Sequence, residues 1–205
     1  MSQSEEKVIT LSVPLSLGDA LKYDSIILRE PMLDELDRSA QTAGSLYAVN
    51  AALISMVSSI PLTLIRKLGK TKYEESVAYL QGFDWIPPKD APKVPEKTVV
   101  LKKPITLNGD SRTYDSLHLS EPTVEQLDQS AQVEGTAYAC NAELISLVSG
   151  VPLAVVRKIG KSSYEEATAF LSGFTWAPPP SGETSETNAP TLPTFSDGDL
   201  TPSAA

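Results

Sequence analysis

The chain has 205 residues, of which 41% are hydrophobic and 21% charged, with a formal net charge of −9. These are the proportions of a globular protein, not a disordered one. The acidic balance argues against a nucleic-acid backbone as the main partner, since phosphate binding needs a basic surface. No apolar run is long enough to span a bilayer.

The opening MSQSEEKVIT lacks the apolar core of a signal peptide, which points to a cytoplasmic protein. Residues 1–7 are polar and expected to be disordered. From Val8, the segment VITLSVPL places Val8, Thr10 and Ser12 on one face and Ile9, Leu11 and Val13 on the other. Gly18-Asp19 then signals a turn and Tyr23-Asp-Ser-Ile-Ile-Leu28 a second strand. The pattern returns as TVVLKKPI, Asn108-Gly109 and Tyr114-Asp-Ser-Leu-His-Leu119, where Asn-Gly is the stronger hairpin signal.

Pro31 and Pro122 suit the first position of a helix, and the acidic residues that follow suit its positive end. Gly44 and Gly135 interrupt or end that helix. A long apolar segment comes next, YAVNAALISMVSSIPLTLIRKLGK at 47–70 and YACNAELISLVSGVPLAVVRKIGK at 138–161. Pro61 and Pro152 open a short third helix ending at Gly69 or Gly160. Thr71 with Glu74, and Ser162 with Glu165, fit the capping-box spacing for a last helix. The expected fold is therefore α+β: two tandem copies of a small module, each an N-terminal β-hairpin followed by about four short helices. The modules span 8–86 and 98–177, joined by a proline-rich linker at 87–97 and followed by a disordered acidic tail at 178–205. Modules of about 80 residues are near the lower end of what buries an adequate core alone, so mutual packing or oligomerisation is expected.

Aligning 23–88 with 114–179 gives 37 identities in 66 positions, which reads as an internal duplication. The comparison also tests lone reactive residues. His118 stands where the first copy has Ile27 and reads as a strand-face residue. Cys140 stands where it has Val49 and reads as a small apolar side chain, too isolated for a disulfide or metal cluster. Glu74-Glu75 and Glu165-Glu166 read as helix-end residues, because neighbours on a helix do not face each other. Arg66-Lys67 and Arg157-Lys158 complement a helix C-terminus, with a partner carboxylate as the alternative. No catalytic constellation, cofactor fingerprint or metal-ligand spacing occurs, so no enzyme, cofactor or metal site is expected.

The central helix carries two adjacent apolar stripes, Leu46, Val49, Leu53 and Met56, then Tyr47, Ala51, Ile54 and Val57. The second copy repeats them as Ala137, Cys140, Leu144 and Leu147, then Tyr138, Ala142, Ile145 and Val148. A small domain's surface helix needs only one stripe. Two mean either a helix buried between layers or a face kept for another protein. On the second reading the partner-binding residues are Tyr47, Ile54, Val57, Tyr138, Ile145 and Val148. Phe83 and Trp85, with Phe174 and Trp176, look like plugs tying each module's end to its core.

These features together resemble the Mu-like phage tail assembly chaperone family, whose members begin with a hairpin of the form L-x-x-P-I-x-x-x-G-x-x-Y-x-x-L-x-L-R-E-P-T. The matching residues are strands ending at Pro14 and Pro104, then Tyr23-Asp-Ser-Ile-Ile-Leu-Arg-Glu-Pro31 and Tyr114-Asp-Ser-Leu-His-Leu-Ser-Glu-Pro-Thr123. Ser120 departs from the arginine of Arg-Glu-Pro. The doubling departs from the family's single module. The resemblance implies a non-enzymatic late protein of the bacterial host cytoplasm that binds the tape measure protein and keeps it soluble until the tail tube polymerises. It would be absent from the finished virion; the competing class is a structural tail component retained there. The tail tube protein is a second candidate partner, self-association is expected, and neither nucleic acid nor membrane is.

Overall fold

The period-two patterns do form hairpins. The computed structural model describes residues 5–17, 21–86, 88, 94–109 and 111–174. In it β1 (Glu6–Leu17) pairs antiparallel with β2 (Leu21–Arg29), and β3 (Glu96–Thr106) with β4 (Thr113–Ser120). Glu6 and Lys7, expected in a disordered N-terminus, pair with Arg29 and Leu28. Glu96 and Lys97, expected in the linker, open β3. The expected Gly18-Asp19 turn, most of the linker, Trp176 and the acidic tail lie outside the described residues.

Both hairpins share an irregularity. Thr10 faces Ser25 and Leu15 faces Tyr23, so five steps on β1 oppose two on β2. Val100 facing Ser116 and Ile105 facing Tyr114 give the same five against two. Pro14 and Pro104 fall inside these stretches, where a missing N–H breaks no ladder bond. The bulge also alters the expected faces. Ile9, Leu11 and Leu15 are buried, but Val13 between them is turned out to solvent.

Four helices follow each hairpin: α1 (Leu33–Ala40), α2 (Leu46–Ser58), α3 (Leu62–Ile65) and α4 (Lys70–Gln81), then α5 (Val124–Ala131), α6 (Ala137–Ser149), α7 (Leu153–Val156) and α8 (Lys161–Leu171). The described residues are thus α+β, with the same element order in each half. Pro31 and Pro122 do not open the first helices but precede their N-caps, Met32 and Thr123. Glu35 Oε2 accepts the Met32 N–H at 2.9 Å, and Thr123 and Gln126 cap each other reciprocally at 3.2 and 2.9 Å. The third helices stop at Ile65 and Val156, short of Gly69 and Gly160, which instead serve as N-caps of α4 and α8. The expected capping boxes at Thr71 and Ser162 are therefore not formed; the N-caps lie two residues earlier.

Apolar side chains gather in two clusters. In the first, Ile9, Ile26 and Leu28 of the hairpin meet Ala51, Ile54 and Val57 of α2, with Phe83 closing one side. In the second, Val99, Leu117 and Leu119 meet Ala142 and Ile145 of α6. One member of the second cluster comes from the first half. Leu33, the first residue of α1, is 1% exposed among second-half side chains.

The ends of the central helices differ in one telling position. Gly150 terminates α6 in the left-handed conformation at φ 67°, while Ser59 ends α2 at φ 59°. A left-handed non-glycine residue costs on the order of 1 kcal/mol. Ser59→Gly should therefore stabilise the fold by about 0.5–1 kcal/mol and Gly150→Ser should destabilise it similarly, read as opposite shifts in the urea midpoint.

Candidate functional site

The two-stripe helix is largely a core element. Ile54 and Ile145 are fully buried and Val57 is 5% exposed, because their stripe faces the hairpin while α1 or α5 covers the other side. These three predicted partner-binding residues hold the fold together and are not presented at the surface. Their burial fits the alternative of a helix held between layers. Tyr138 and Val148 are half-buried at the edge of the second cluster. Tyr47, at the start of α2, is 70% exposed, as is its neighbour Leu46 at 72%. Tyr47 leans on Tyr73 of α4 with ring centroids 5.7 Å apart, and Tyr138 on Tyr164 of α8 at 5.5 Å.

The lone reactive residues have ordinary partners. His118 Nδ1 lies 3.0 Å from Thr98 Oγ1 directly across the hairpin on its exposed face. Cys140 Sγ is half-buried, 3.4 Å from the Val133 carbonyl. Among the described residues no group of three or more His, Cys, Asp or Glu side chains could hold a metal ion. The Glu75 carboxyl is held below the usual range by hydrogen bonds from Lys72 and then Lys7. Its stabilising contribution is present above the ordinary glutamate value and is lost as pH falls through the lowered one. Burial pushes the Tyr164 hydroxyl up, against a hydrogen bond from Asn141 Nδ2 at 2.9 Å. Phe83 is buried edge-on to Tyr79 at 5.2 Å, as expected of a plug, while Phe174 meets Phe170 at 5.1 Å.

The most specific contact surface is one that periodicity does not reveal. The segment 30–33 crosses from the first half and adds itself to the turn between α7 and α8. Leu33 N–H donates to the Ile159 carbonyl at 3.0 Å, Asp34 N–H to Arg157 at 2.9 Å, and Lys161 N–H to Pro31 at 2.9 Å. Glu30 Oε1 accepts from Ser162 N–H at 2.8 Å and from its hydroxyl at 2.6 Å, while Oε2 accepts from Lys102 Nζ at 2.9 Å. Glu30 thus caps α8 from the other half, in place of the local capping box expected at Ser162. A Cβ on Gly160 would lie 2.8 Å from the Glu30 carboxyl carbon, so a larger residue there would push the carboxylate off this position.

Further contacts reinforce the junction. Thr136 donates to Asp37, Lys161 pairs with Asp84, and Trp85 N–H donates to Glu165 Oε2 at 2.7 Å. Lys97 sits over the Trp85 ring at 4.8 Å. On α1 itself, Arg29 grips Glu35 through two bonds of 2.6 and 2.9 Å, an arrangement lost in the second half, where Ser120 and Gln126 stand. Matched positions of the two halves meet unequal fates at this junction. Leu33 corresponds to Val124, which is 82% exposed, and Leu36 to Leu127, which is 44% exposed.

Glu30→Gln should therefore cost about 1.5–3 kcal/mol, by weakening bonds to a charged group, and Leu33→Ala about 2–5 kcal/mol. The matched change Val124→Ala should stay within about 0.5 kcal/mol. Urea unfolding of the three variants checks the contrast.

Among the described residues no helix is long and apolar enough to cross a membrane. No curated protein and no solved structure shows significant similarity to the chain. Residues 98–175, which hold all but the first two residues of the second hairpin and the four helices after it, match the family model described as phage tail assembly chaperone proteins, E, or 41 or 14. The match covers less than half of the chain and supports a role in phage tail assembly.

Proposed function

We propose that the protein is a tail assembly chaperone of a tailed bacteriophage, a tandem of two related modules. It binds the tape measure protein and keeps it soluble until the tail tube polymerises around it. The observation that carries this reading is the family match over residues 98–175. The 37 identities between the halves extend the likeness to the first half. The protein acts in the host cytoplasm, without catalysis or cofactor, and is left out of the finished virion.

Tyr47, together with Leu46 beside it, is the leading contact for the client, with the half-buried Tyr138 and Val148 as the second-half counterpart. An amphipathic helix laying its apolar side against such residues is the natural mode for a helical client. Two sites on one chain raise the effective concentration of the second, so modest affinities combine.

Co-expression with the tape measure protein and affinity capture tests both levels of the proposal. Wild-type chain should retain the client in solution, and Leu46→Asp with Tyr47→Asp should reduce capture by about tenfold or more, with the urea midpoint lowered only by the loss of the Tyr47–Tyr73 contact, about 0.5–1.5 kcal/mol. Undiminished capture by the double variant would remove this face from the proposal. Failure of the wild-type chain to capture the client would remove the function. Mass spectrometry of purified virions should find no copy of the chain, whereas a structural tail component would be present in stoichiometric amounts.

A further inference from the structure

We propose that copies of this chain associate head to tail. Residues 121–124 of one copy dock on the turn 68–71 of the next, in the way residues 30–33 dock on 159–162 within the chain. The internal contact has two sides, and the repeat supplies each of them twice. One donor and one acceptor are used up inside the molecule. The other donor and acceptor are left uncovered at opposite ends of the repeat.

The unused donor keeps the parts that matter. Glu121 and Pro122 repeat Glu30 and Pro31, and Val124 stands for Leu33. Leu33 is 1% exposed and Val124 82%, so the same helix position is a core residue in one half and a bare apolar knob in the other. The unused acceptor is equally intact. Leu68, Gly69, Lys70 and Thr71 repeat Ile159, Gly160, Lys161 and Ser162, with the hydroxyl that receives the carboxylate retained. A Cβ on Gly160 collides with Glu30, whereas a Cβ on Gly69 meets nothing within 4 Å. The space that Glu30 fills at one turn is vacant at the other. Leu68 is half-buried where Ile159 is 1% exposed, and the Lys70 side chain is 81% exposed where that of Lys161 is 14%. Asp128 and Ser45 likewise repeat the pair made by Asp37 and Thr136.

The contact between copies is weaker than the internal one. Lys102, which pairs with Glu30, aligns with Ser12 when Pro104 is set on Pro14, and Asp84 aligns with Thr175. Loss of these ion pairs makes the association reversible, unlike the covalently enforced internal junction. Donor and acceptor are different surfaces, so the contact is heterologous and propagates into a ring or an open filament. This goes beyond the proposed function, because it needs no client.

Sedimentation velocity of the full chain over a range of concentrations tests it. The wild type should form species that grow with concentration. Val124→Asp, which removes the donor, and Gly69→Val, which blocks the acceptor, should each be monomeric with near-native unfolding curves. Mixed together, these two variants should pair and stop at a dimer, since each retains the surface the other lacks. Glu121→Gln should weaken association by about tenfold or more, and Val124→Leu should strengthen it. A wild-type chain that stays monomeric at all concentrations, variants that assemble as the wild type does, or a mixture that fails to pair would each overturn the proposal. Loss of tape measure capture by Val124→Asp from a wild type that is itself monomeric would assign the surface to the client and overturn it equally.

Discussion

The structure depends on one carboxylate placed at the start of a helix it does not belong to. The first N–H groups of a helix have no partner within it, and the helix end carries partial positive charge. Glu30 meets both needs for α8, accepting from the Ser162 backbone and hydroxyl while Lys102 neutralises its other oxygen. Three residues later Leu33 enters the second apolar cluster. Burying such a side chain contributes about 1.5–3 kcal/mol, a substantial share for a unit of about 80 residues with a small core. The second half therefore has its helix cap and part of its core completed by the first.

Matched segments meet different fates because of their order in the chain. The first half is followed by an acceptor for its strap, and α1 is buried along Leu33, Glu35 and Leu36. The acceptor turn that follows α5 is already occupied by residues 30–33, and the only buried residue of α5 is Ser130. Sequence has partly adjusted to this. Arg29 and Glu35 lock α1 in place, whereas Ser120 and Gln126 replace them and α5 is capped by Thr123 instead. The change from Leu33 to Val124 also shrinks the side chain where nothing within the chain covers it.

Burial of Ile54 and Ile145 narrows where a partner can bind. A helix apolar on two sides serves mostly to join the hairpin to α1 or α5, and the surplus apolar surface is concentrated at its exposed start, Leu46 and Tyr47. In the proposed chaperone role such a restricted patch has an advantage. A net charge of −9 favours solubility, while a few apolar side chains make contacts weak enough to be exchanged as a tail tube grows.

The order of elements was legible in the residues, because it rests on local rules. Alternation placed the hairpins, helical spacing placed α2 and α6, and Pro61 and Pro152 marked the short helices after them. Strand ends moved by one or two residues, and Val13 was misplaced because a bulge breaks the alternation on which its face was read. The capping box at Ser162 failed for a different reason, while at Thr71 the helix simply starts after Gly69. A capping pattern is local, and the cap of α8 comes from Glu30, 132 residues away from Ser162. Whether Ile54 belonged to the core or to a partner also could not follow from periodicity, which counts apolar faces without saying what covers them. Sequence by itself determined the parts and their repetition. Only the tertiary structure decided that the first part is built into the second, because that depends on which surfaces meet across distant positions in the chain.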